Sequence, residues 1–329
     1  MKPLVIHLIG DRLAGGSNFY VNRLINSPLN QKYNFLVLRL DEFKSKIASL
    51  KPDSIFFHYP CTWRYLLELV KLKRYGKVII LDHHYCQGFE QDRVSVPWRF
   101  HLMLKIAYSL ADYVLCVSNA QKEWMLSRQL VDISKVRVIQ VSVSGAVAIE
   151  DLLKIPPKSP EHPLVLCAYG RFARQKGFDV LLNAIASLPA EDFNLYLGGY
   201  GFEEAEIQKL ARNLSQVKLV GVVRDVPGFL ALCDAVVIPS RWETGAMVGF
   251  EAKAAGKAIV ASDIDALPEL VGSCGLLVPP NDVRQLAKAI ASLPEQNLVA
   301  WGQAARESVA GSWERLLGDW ESLLEEIII

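Results

Sequence analysis

Short apolar segments alternate with amphipathic segments along the whole chain. Runs rich in Val, Ile and Leu are followed by stretches with helical periodicity of about 10 to 15 residues. This alternation is typical of repeated βαβ units, whose parallel strands are buried on both faces of a sheet. The pattern therefore predicts an α/β protein.

The apolar runs predict two similar sheets. In the first half, strands are predicted at Leu4–Leu8, Asn34–Leu38, Ser54–Phe57, Val78–Leu81, Tyr113–Val117 and Val136–Ile139. The pattern then restarts, with strands predicted at Leu164–Ala168, Asn194–Leu197, Val217–Val220, Ala235–Ile238, Ala258–Val260 and Gly275–Val278. Two parallel sheets of this kind imply two Rossmann-like domains.

A proline-rich segment separates the two halves. Lys154–Pro163 contains four prolines in ten residues, which excludes a continuous helix or a central strand. We therefore expect an N-terminal domain over residues 1–155 and a C-terminal domain over 160–310, which a chain of 329 residues can accommodate. The tail, 312–329, reads as an amphipathic helix with a large aromatic face, and we expect it to pack back on the N-terminal domain.

Composition excludes several classes of protein. The 36 basic and 35 acidic residues give a net charge of +1, so no general field attracts nucleic acid, and no nucleic-acid partner is expected. No apolar run reaches the roughly 18 residues that a membrane span needs, and the N-terminal run is too short for a signal peptide. We expect a cytoplasmic protein, with peripheral contact at the inner face of a membrane left open.

The first candidate binding loop follows a strand in the second half. Residues 168–177 contain Arg171 and Lys176 and lie between a predicted strand and a predicted helix. Ligands collect at the carboxyl ends of strands in open α/β sheets. The planar guanidinium of Arg171 and the compact ammonium of Lys176 are suited to holding a diphosphate, although two cations in a loop are more often simply solvated.

Two further loops are rich in glycine or apolar residues. Gly199 and Gly201 lie in a turn predicted to join a strand to a helix, where glycine lets the backbone approach a ligand closely or simply forms a tight turn. Val222 follows the next strand, in a short apolar stretch that could contact a flat base.

The most specific segment is 239–256. A buried strand ends at Pro239, Glu243 lies in the loop, and a helix is predicted to begin near Ala246, so that the amides of Gly245, Ala246 and Met247 form an anion-binding N-terminus. Glu243 beside a phosphate site would serve sugar hydroxyls or a developing positive charge. Glu251, one turn further, could accept hydrogen bonds from ribose hydroxyls, whereas an isolated pair of glutamates could equally be helix-start charges.

The order and spacing of these motifs resemble the donor domain of glycosyltransferase family 4. The resemblance covers roughly residues 164 to 292 and rests on the following segments: Gly170-Arg171, Lys176-Gly177, Gly199-Tyr-Gly201, Gly221-Val222, Asp234, Pro239-Ser240, Glu243-x7-Glu251 and Pro268-Glu269. It implies the GT-B architecture, in which two Rossmann-like domains with parallel sheets face each other across a cleft.

The resemblance also implies roles for single residues. By similarity, Arg171 and Lys176 grip the donor diphosphate, Glu243 serves the transferred sugar, and Glu251 holds the ribose. The loop after Glu243 reads Thr-Gly-Ala-Met where the family commonly has Pro-Phe-Gly-Leu, so Ala246 replaces a common glycine.

The first half resembles the family more loosely. Gly15 and Gly16 follow the first strand, at the place of the family's glycine loop over the donor phosphate. His83 follows the fourth strand, where the family often has a histidine near the reacting sugar, and His84 beside it is the alternative.

The function predicted from this resemblance is retaining transfer of a hexose from a nucleoside-diphosphate sugar to an acceptor hydroxyl, in glycan, polysaccharide or glycolipid synthesis. A UDP-sugar is favoured as the co-substrate and a GDP-sugar is second, with no permanently bound cofactor. The acceptor is a glycan, a lipid-linked molecule or a small molecule.

Four other interpretations compete with transfer. A nicotinamide oxidoreductase would need Gly-x-Gly-x-x-Gly after an early strand, but Gly10-Asp-Arg-Leu-Ala-Gly-Gly16 has the wrong spacing. The pair Asp263 and Asp265 invites a metal-dependent interpretation, but its place in the pattern matches a connecting loop, and no metal is expected. A sugar-nucleotide epimerase and an inactive sugar-nucleotide-binding subunit are the remaining alternatives.

Overall fold

The computed structural model describes residues 2–10, 16–46, 50–140 and 149–328. These residues form two compact units. The first comprises the described residues of Met1–Ala146 and Gly311–Ile329, and the second those of Val147–Ala310. Each unit contains one parallel six-stranded sheet among its described residues, so the predicted α/β class with two Rossmann-like domains is confirmed.

The strands of the first sheet are β1 Leu4–Leu8, β2 Asn34–Leu38, β3 Ser54–Phe57, β4 Lys77–Asp82, β5 Tyr113–Cys116 and β6 Val136–Val138. Those of the second are β7 Leu164–Arg171, β8 Phe193–Tyr200, β9 Val217–Gly221, β10 Ala235–Ile238, β11 Ala258–Ser262 and β12 Gly275–Val278. The bounds of β1, β2, β3, β10 and β12 are those predicted.

Helices connect the strands. They are α1 Gly16–Ile25, α2 Leu40–Lys46, α3 Trp63–Leu72, α4 Gln87–Arg93, α5 Pro97–Leu110, α6 Asn119–Ser127, α7 Ile149–Leu153, α8 Phe178–Ala186, α9 Glu204–Ala211, α10 Val226–Leu232, α11 Met247–Ala254, α12 Leu267–Val271, α13 Val283–Ala291, α14 Leu298–Val309 and α15 Ser312–Ile328. α7 contacts α11, so the second unit begins before the proline-rich segment Lys154–Pro163.

Strand order defines where ligands can bind. The first sheet has the order β2-β1-β3-β4-β5-β6, and the second has β9-β8-β7-β10-β11-β12. In each sheet the chain winds outward in both directions from one pair of strands, β1 and β3 or β7 and β10. Such a switch point opens a crevice at the carboxyl ends of the strands.

The first sheet is buried on both faces because side chains alternate between them. On one face Ile6, Ile55 and Ile80 pack with α5, and on the other Phe56 and Ile79 pack with α15. The second sheet is likewise covered, with α8 and α13 packed together on one face. These cores fix the strand ends that carry the polar loops.

Trp320 anchors α15 to the first sheet. Its side chain is fully buried, its ring centroid lies 5.2 Å from that of Phe56, and its indole N–H donates to the hydroxyl of Tyr20. Arg137 adds a hydrogen-bonded ion pair to Glu326, with Nη2 2.5 Å from Oε1. The last helix is thus part of the first unit's core.

Two buried histidines lie beneath the same helix. His7 on β1 and His58 after β3 approach with Nδ1 of His7 2.9 Å from Nε2 of His58. The His7 ring also stacks on Phe56, with centroids 4.9 Å apart. Burial lowers the pKa of His7 to about 3, and burial followed by the charges of neighbouring histidines lowers the pKa of His58 well below its usual value. Both rings are therefore neutral at physiological pH.

Replacing Trp320 is expected to destabilise the first unit. Trp320→Ala removes a fully buried ring and a buried hydrogen bond, and should lower the free energy of unfolding by about 3 to 5 kcal/mol. Trp98→Ala is the matched control, because Trp98 in the same unit is 69% exposed and its loss should cost less than about 0.5 kcal/mol. Urea titration followed by far-ultraviolet circular dichroism measures both. Equal effects would contradict the anchoring role.

The stability of the first unit is expected to fall as the pH drops below about 6.5. Unfolded histidine binds a proton near that pH, whereas folded His7 and His58 do not, so each contributes a loss of up to about 1.4 kcal/mol per pH unit. Above that pH both states are neutral and the contribution is constant. His7→Gln should flatten the dependence in calorimetric melts over this pH range.

Candidate active site

The predicted donor residues of the second half lie around the switch point of the second sheet. β7 pairs directly with β10, in the register Leu166 with Ala235, although the two strands are far apart in sequence. β7 ends at Arg171 and β10 ends at Ile238. The segments that follow these two strands therefore meet at one edge of the sheet, where a crevice is expected.

Lys176 and Glu243 form an ion pair at this edge. Lys176 lies in the short 3-10 turn Arg174–Lys176, and its Nζ is 2.5 Å from Oε2 of Glu243. The side chain of Glu243 is only 7% exposed, and Ser240 Oγ lies 3.4 Å from the same oxygen. A carboxylate this deeply buried needs a compensating cation. The structure thus brings together two residues that the sequence separates by 67 positions.

A second ion pair ties the two loops to each other. The guanidinium of Arg241 donates to both carboxylate oxygens of Asp179, at 2.8 and 2.6 Å, and to the carbonyl of Arg174 at 2.8 Å. Gln175 makes two further hydrogen bonds. Its backbone carbonyl accepts from the backbone N–H of Arg241, and its side-chain amide donates to the carbonyl of Trp242. Sequence reasoning missed Arg241, because nothing in its local pattern distinguishes it from a solvated loop cation.

Glu251 lies on the second turn of α11. It is buried, at 5% exposure, and accepts a hydrogen bond from the hydroxyl of Tyr169 on β7. Ala246 occupies the N-cap of α11 and supplies no side-chain acceptor, and Met247 is the first helical residue. Gly245 precedes them and is partly buried. The N-terminus of α11 therefore begins at the predicted position, beside both glutamates.

Two strands extend further than predicted. The sequence suggested that β7 ends at Ala168 and β8 near Leu197, which would put Arg171, Gly199 and Gly201 in loops. Instead β7 reaches Arg171, and β8 reaches Tyr200, its partner in the register, so Arg171 and Gly199 lie in strands while Gly201 follows its strand as predicted. The prediction was wrong because glycine, a poor strand residue in isolation, is accommodated here by pairing with the neighbouring strand.

Backbone atoms fill the space that a side chain would need at Gly199 and Gly201. Gly199 has a φ of +152°, and a Cβ there would lie 2.0 Å from the carbonyl oxygen of Gly170. Gly201 has a φ of +156°, and a Cβ there would lie 2.3 Å from the carbonyl oxygen of Phe172. The space that a side chain would occupy is filled by protein backbone, so the packing of β8 against β7 itself requires glycine.

The remaining predicted residues of the second unit lie near its surface. Arg171 is exposed at the end of β7, and Val222 is 54% exposed directly after β9. A small pocket among the described residues is lined by Tyr169, Lys176, Ala246 and the end of β10. Lys176 and the start of α11 thus border the same concavity.

His83 follows β4 in the first unit, in a loop shaped by Asp82. The Asp82 carboxylate accepts from the backbone N–H groups of His84 and Tyr85, at 2.8 and 3.1 Å, and from the hydroxyl of Tyr108 at 2.5 Å. Burial, followed by the neighbouring His84, lowers the pKa of His83 to about 3, against the opposing charge of Asp82. His83 is therefore a neutral imidazole at physiological pH.

The glycine loop is only partly described. Gly16 is the first residue of α1, whereas Gly15 lies outside the described residues. His58, which sequence reasoning missed, directly follows the neighbouring strand β3, and its ring centroid is 6.0 Å from that of His83. The residue type alone gave no signal, because a single histidine after a strand is usually structural.

The described residues contain no group of three or more His, Cys, Asp and Glu side chains arranged to hold a metal ion. Asp265, half of the acidic pair, accepts the backbone N–H of Glu243 at 3.1 Å. Among the described helices, none is both long enough and apolar enough to cross a membrane.

Family models match both halves of the chain. Residues 5–144 match the model described as Glycosyltransferase Family 4, and residues 163–296 match the model described as Glycosyl transferases group 1. The two matches cover the two units in the expected order.

Similar proteins agree with these matches. An uncharacterised glycosyltransferase of Methanocaldococcus jannaschii is 33% identical over 48% of the chain and 47% of its own length. A lipopolysaccharide core biosynthesis glycosyltransferase of Rhizobium meliloti is 31% identical over 55% of the chain and 54% of its own length. The chain spans about half the length of these curated relatives.

Solved structures share the fold over nearly the whole chain. A sucrose-phosphate synthase from Thermosynechococcus elongatus superimposes with a TM-score of 0.82 at 21% identity, covering 99% of both chains. The Anabaena protein HepE in complex with UDP-glucose gives a TM-score of 0.75 at 18% identity, covering 98% of this chain and 99% of its own. The two family-model matches show that the chain belongs to glycosyltransferase family 4, and the structural likeness shows the two-domain GT-B fold.

Proposed function

We propose that this chain is a retaining glycosyltransferase that moves a hexose from a nucleoside-diphosphate sugar to an acceptor hydroxyl. The observation that carries the proposal is the ion pair of Lys176 and Glu243 at the switch point of the second sheet, bordering the N-terminus of α11. Family membership supports transfer as the reaction class, and the UDP-glucose bound to the structurally similar HepE supports a nucleotide sugar as donor.

The donor diphosphate is held by positive charge from two sources. Arg171, exposed at the end of β7, and Lys176 supply side-chain cations, and the amides of Gly245, Ala246 and Met247 supply the positive end of the α11 dipole. Lys176 carries three N–H donors, so it can keep Glu243 as a partner while it binds a phosphate oxygen. This arrangement lets a carboxylate lie beside an anionic ligand.

The sugar and nucleoside are assigned to the acidic and apolar residues. Glu243 bonds hydroxyls of the transferred hexose and stabilises positive charge that develops at its anomeric carbon. Glu251 accepts from the ribose hydroxyls, and Val222 contacts the base. Gly199 and Gly201 shape the strand edge beside these groups and, having no side chains, make no side-chain contacts with the donor.

Transfer proceeds on one face of the sugar. The acceptor oxygen bonds to the anomeric carbon as the bond to the diphosphate breaks, and the hydroxyl proton passes to the departing phosphate oxygen. We assign no protein nucleophile. The family resemblance assigns Gly15 and Gly16 to the donor phosphate and His83 to the sugar, and a neutral His83 would act through a hydrogen bond rather than through charge.

The acceptor is proposed from the relatives. One relative acts in lipopolysaccharide core biosynthesis, which favours a glycan or glycolipid acceptor for this chain. A UDP-sugar remains the favoured donor, ahead of a GDP-sugar, since HepE binds UDP-glucose. A cytoplasmic location is consistent with a nucleotide-sugar donor.

Nucleotide binding tests the donor site. UDP or GDP should raise the melting temperature of the wild-type chain, and both Lys176→Ala and Glu251→Ala should weaken the affinity by about tenfold or more, the loss of a hydrogen bond to a charged group. Lys209→Ala and Glu206→Ala are matched controls, because this exposed pair lies on α9, where neither residue is assigned to the donor, and both should bind like wild type. No shift with any nucleoside diphosphate, or a shift with NAD alone, would overturn the proposal.

We also propose a peripheral membrane contact on the first unit. α3 and α5 pack against each other, and each carries an exposed apolar stripe at helical spacing. Trp63, Leu67 and Val70 on α3 are 43%, 71% and 44% exposed, and Trp98 and Leu102 on α5 are 69% and 44% exposed. Exposed basic residues flank these stripes: Arg64, Lys71, Arg93, Arg99 and Lys105. An apolar face with a basic margin fits an anionic lipid surface.

Vesicle sedimentation tests this contact. The wild-type chain should bind vesicles that contain phosphatidylglycerol, more weakly at high salt, and should not bind phosphatidylcholine alone. The double variant Trp98→Ala/Arg99→Ala should bind about tenfold more weakly, since it loses an inserted ring and about 1 kcal/mol of attraction per basic residue. Ile133→Ala/Lys51→Ala, which removes an exposed apolar and a basic residue of the same unit, is the control. Equal loss in both variants would argue against this surface.

A further inference from the structure

Tyr169 donates a hydrogen bond to Glu251. It lies on β7, one residue before Gly170, and its hydroxyl donates to Oε2 of Glu251 on α11. The two residues are 82 positions apart in sequence. β7 and β10 are the strands of the switch point, and α11 follows β10, so the fold itself brings the phenol to the carboxylate.

The ring of Tyr169 is fixed by its neighbours. It packs edge-on against Phe229 of α10, with centroids 5.5 Å apart and planes at 81°. Phe229 is itself buried, and its carbonyl oxygen lies 3.7 Å from the thiol of Cys167, on the same strand as Tyr169. The hydroxyl therefore has a defined position relative to Glu251, which a freely rotating side chain would not provide.

The chemistry of the pair keeps the donor and acceptor roles fixed. Burial, and then the charge of Glu251, raise the pKa of Tyr169 well above its usual value, so the phenol remains protonated and donates. A bond from a neutral donor to a charged carboxylate is stronger and more directional than one between neutral groups. It orients the plane of the carboxylate as well as lowering its energy.

We propose that Tyr169 is a positioning residue that holds the Glu251 carboxylate in the orientation that recognises the ribose hydroxyls of the donor. This inference rests on the proposed function, since it assigns the source of ribose selectivity within the donor site. Tyr169 acts through Glu251 and contributes to binding only when the ligand presents ribose hydroxyls.

Affinities for ribose and dideoxyribose nucleotides test the inference. The dissociation constants of UDP and GDP, and of their 2′,3′-dideoxy forms, are measured by isothermal titration calorimetry for wild type, Tyr169→Phe, Glu251→Ala and the double variant. Tyr169→Phe keeps the ring and its packing on Phe229 but removes the hydroxyl. Tyr196→Phe on the adjacent strand β8 removes a hydroxyl of the same kind and is the matched control.

Tyr169→Phe is expected to affect the ribonucleotide and the dideoxynucleotide differently. Tyr169→Phe should weaken binding of the ribonucleotide by about tenfold, the loss that accompanies removal of a hydrogen bond to a charged group. Its affinity for the dideoxy form should stay within about twofold of wild type, because the ring, the diphosphate site and the base site are unchanged. Tyr169→Phe should have no further effect in the Glu251→Ala background, and Tyr196→Phe should match wild type.

Failure of the proposed function and failure of the role of Tyr169 give different results. If no nucleoside diphosphate binds the wild-type chain, the proposed function fails and the inference fails with it. If wild type prefers the ribonucleotide and Glu251→Ala abolishes that preference while Tyr169→Phe retains it, the donor site stands and the role of Tyr169 is overturned. A loss of affinity for both nucleotide forms in Tyr169→Phe would likewise overturn it, since that pattern indicates a structural effect.

Discussion

The pairing of β7 with β10 is the contact on which the candidate site depends. These strands are adjacent in the sheet but separated in sequence by two βα units, and their alignment sets the segments after Arg171 and Ile238 side by side. Burial of the sheet on both faces holds the alignment, because a slip of one residue would turn every core side chain to the wrong side. The ion pair of Lys176 and Glu243 can form only in this register.

The carboxylates near the paired strands β7 and β10 each have a hydrogen-bonding partner. Glu243 and Asp179 are carboxylates near a predicted anion site, and each is paired with a cation, Lys176 and Arg241 respectively. Glu251 accepts a hydrogen bond from a neutral donor, the Tyr169 hydroxyl. Buried carboxylates without partners would destabilise the fold, so these pairs stabilise the loops while they orient the side chains for a ligand. The same bonds serve stability and preorganisation.

In the first unit, buried histidines lie near the ends of the strands. His7, His58 and His83 lie near the ends of β1, β3 and β4, and burial keeps all three neutral. The Asp82 carboxylate shapes the His83 loop through backbone N–H groups rather than through the imidazoles. The histidines therefore act as neutral polar groups, and Asp82, whose pKa burial raises, orders the loop through its hydrogen bonds.

Periodicity and local motifs determined much of this protein: the α/β class, the succession of strands along the chain, the start of α11 near Ala246, and the family resemblance carried by Lys176, Glu243 and Glu251. These features depend on residues close in sequence, where apolar spacing and helix-start chemistry act directly. Tertiary structure alone decided the extension of β7 and β8 through their glycines, and the partners Arg241 and Tyr169. The strand extension depends on the pairing of β7 with β8, and the two partners depend on contacts between residues more than 60 positions apart. Only the packed sheet brings these residues together.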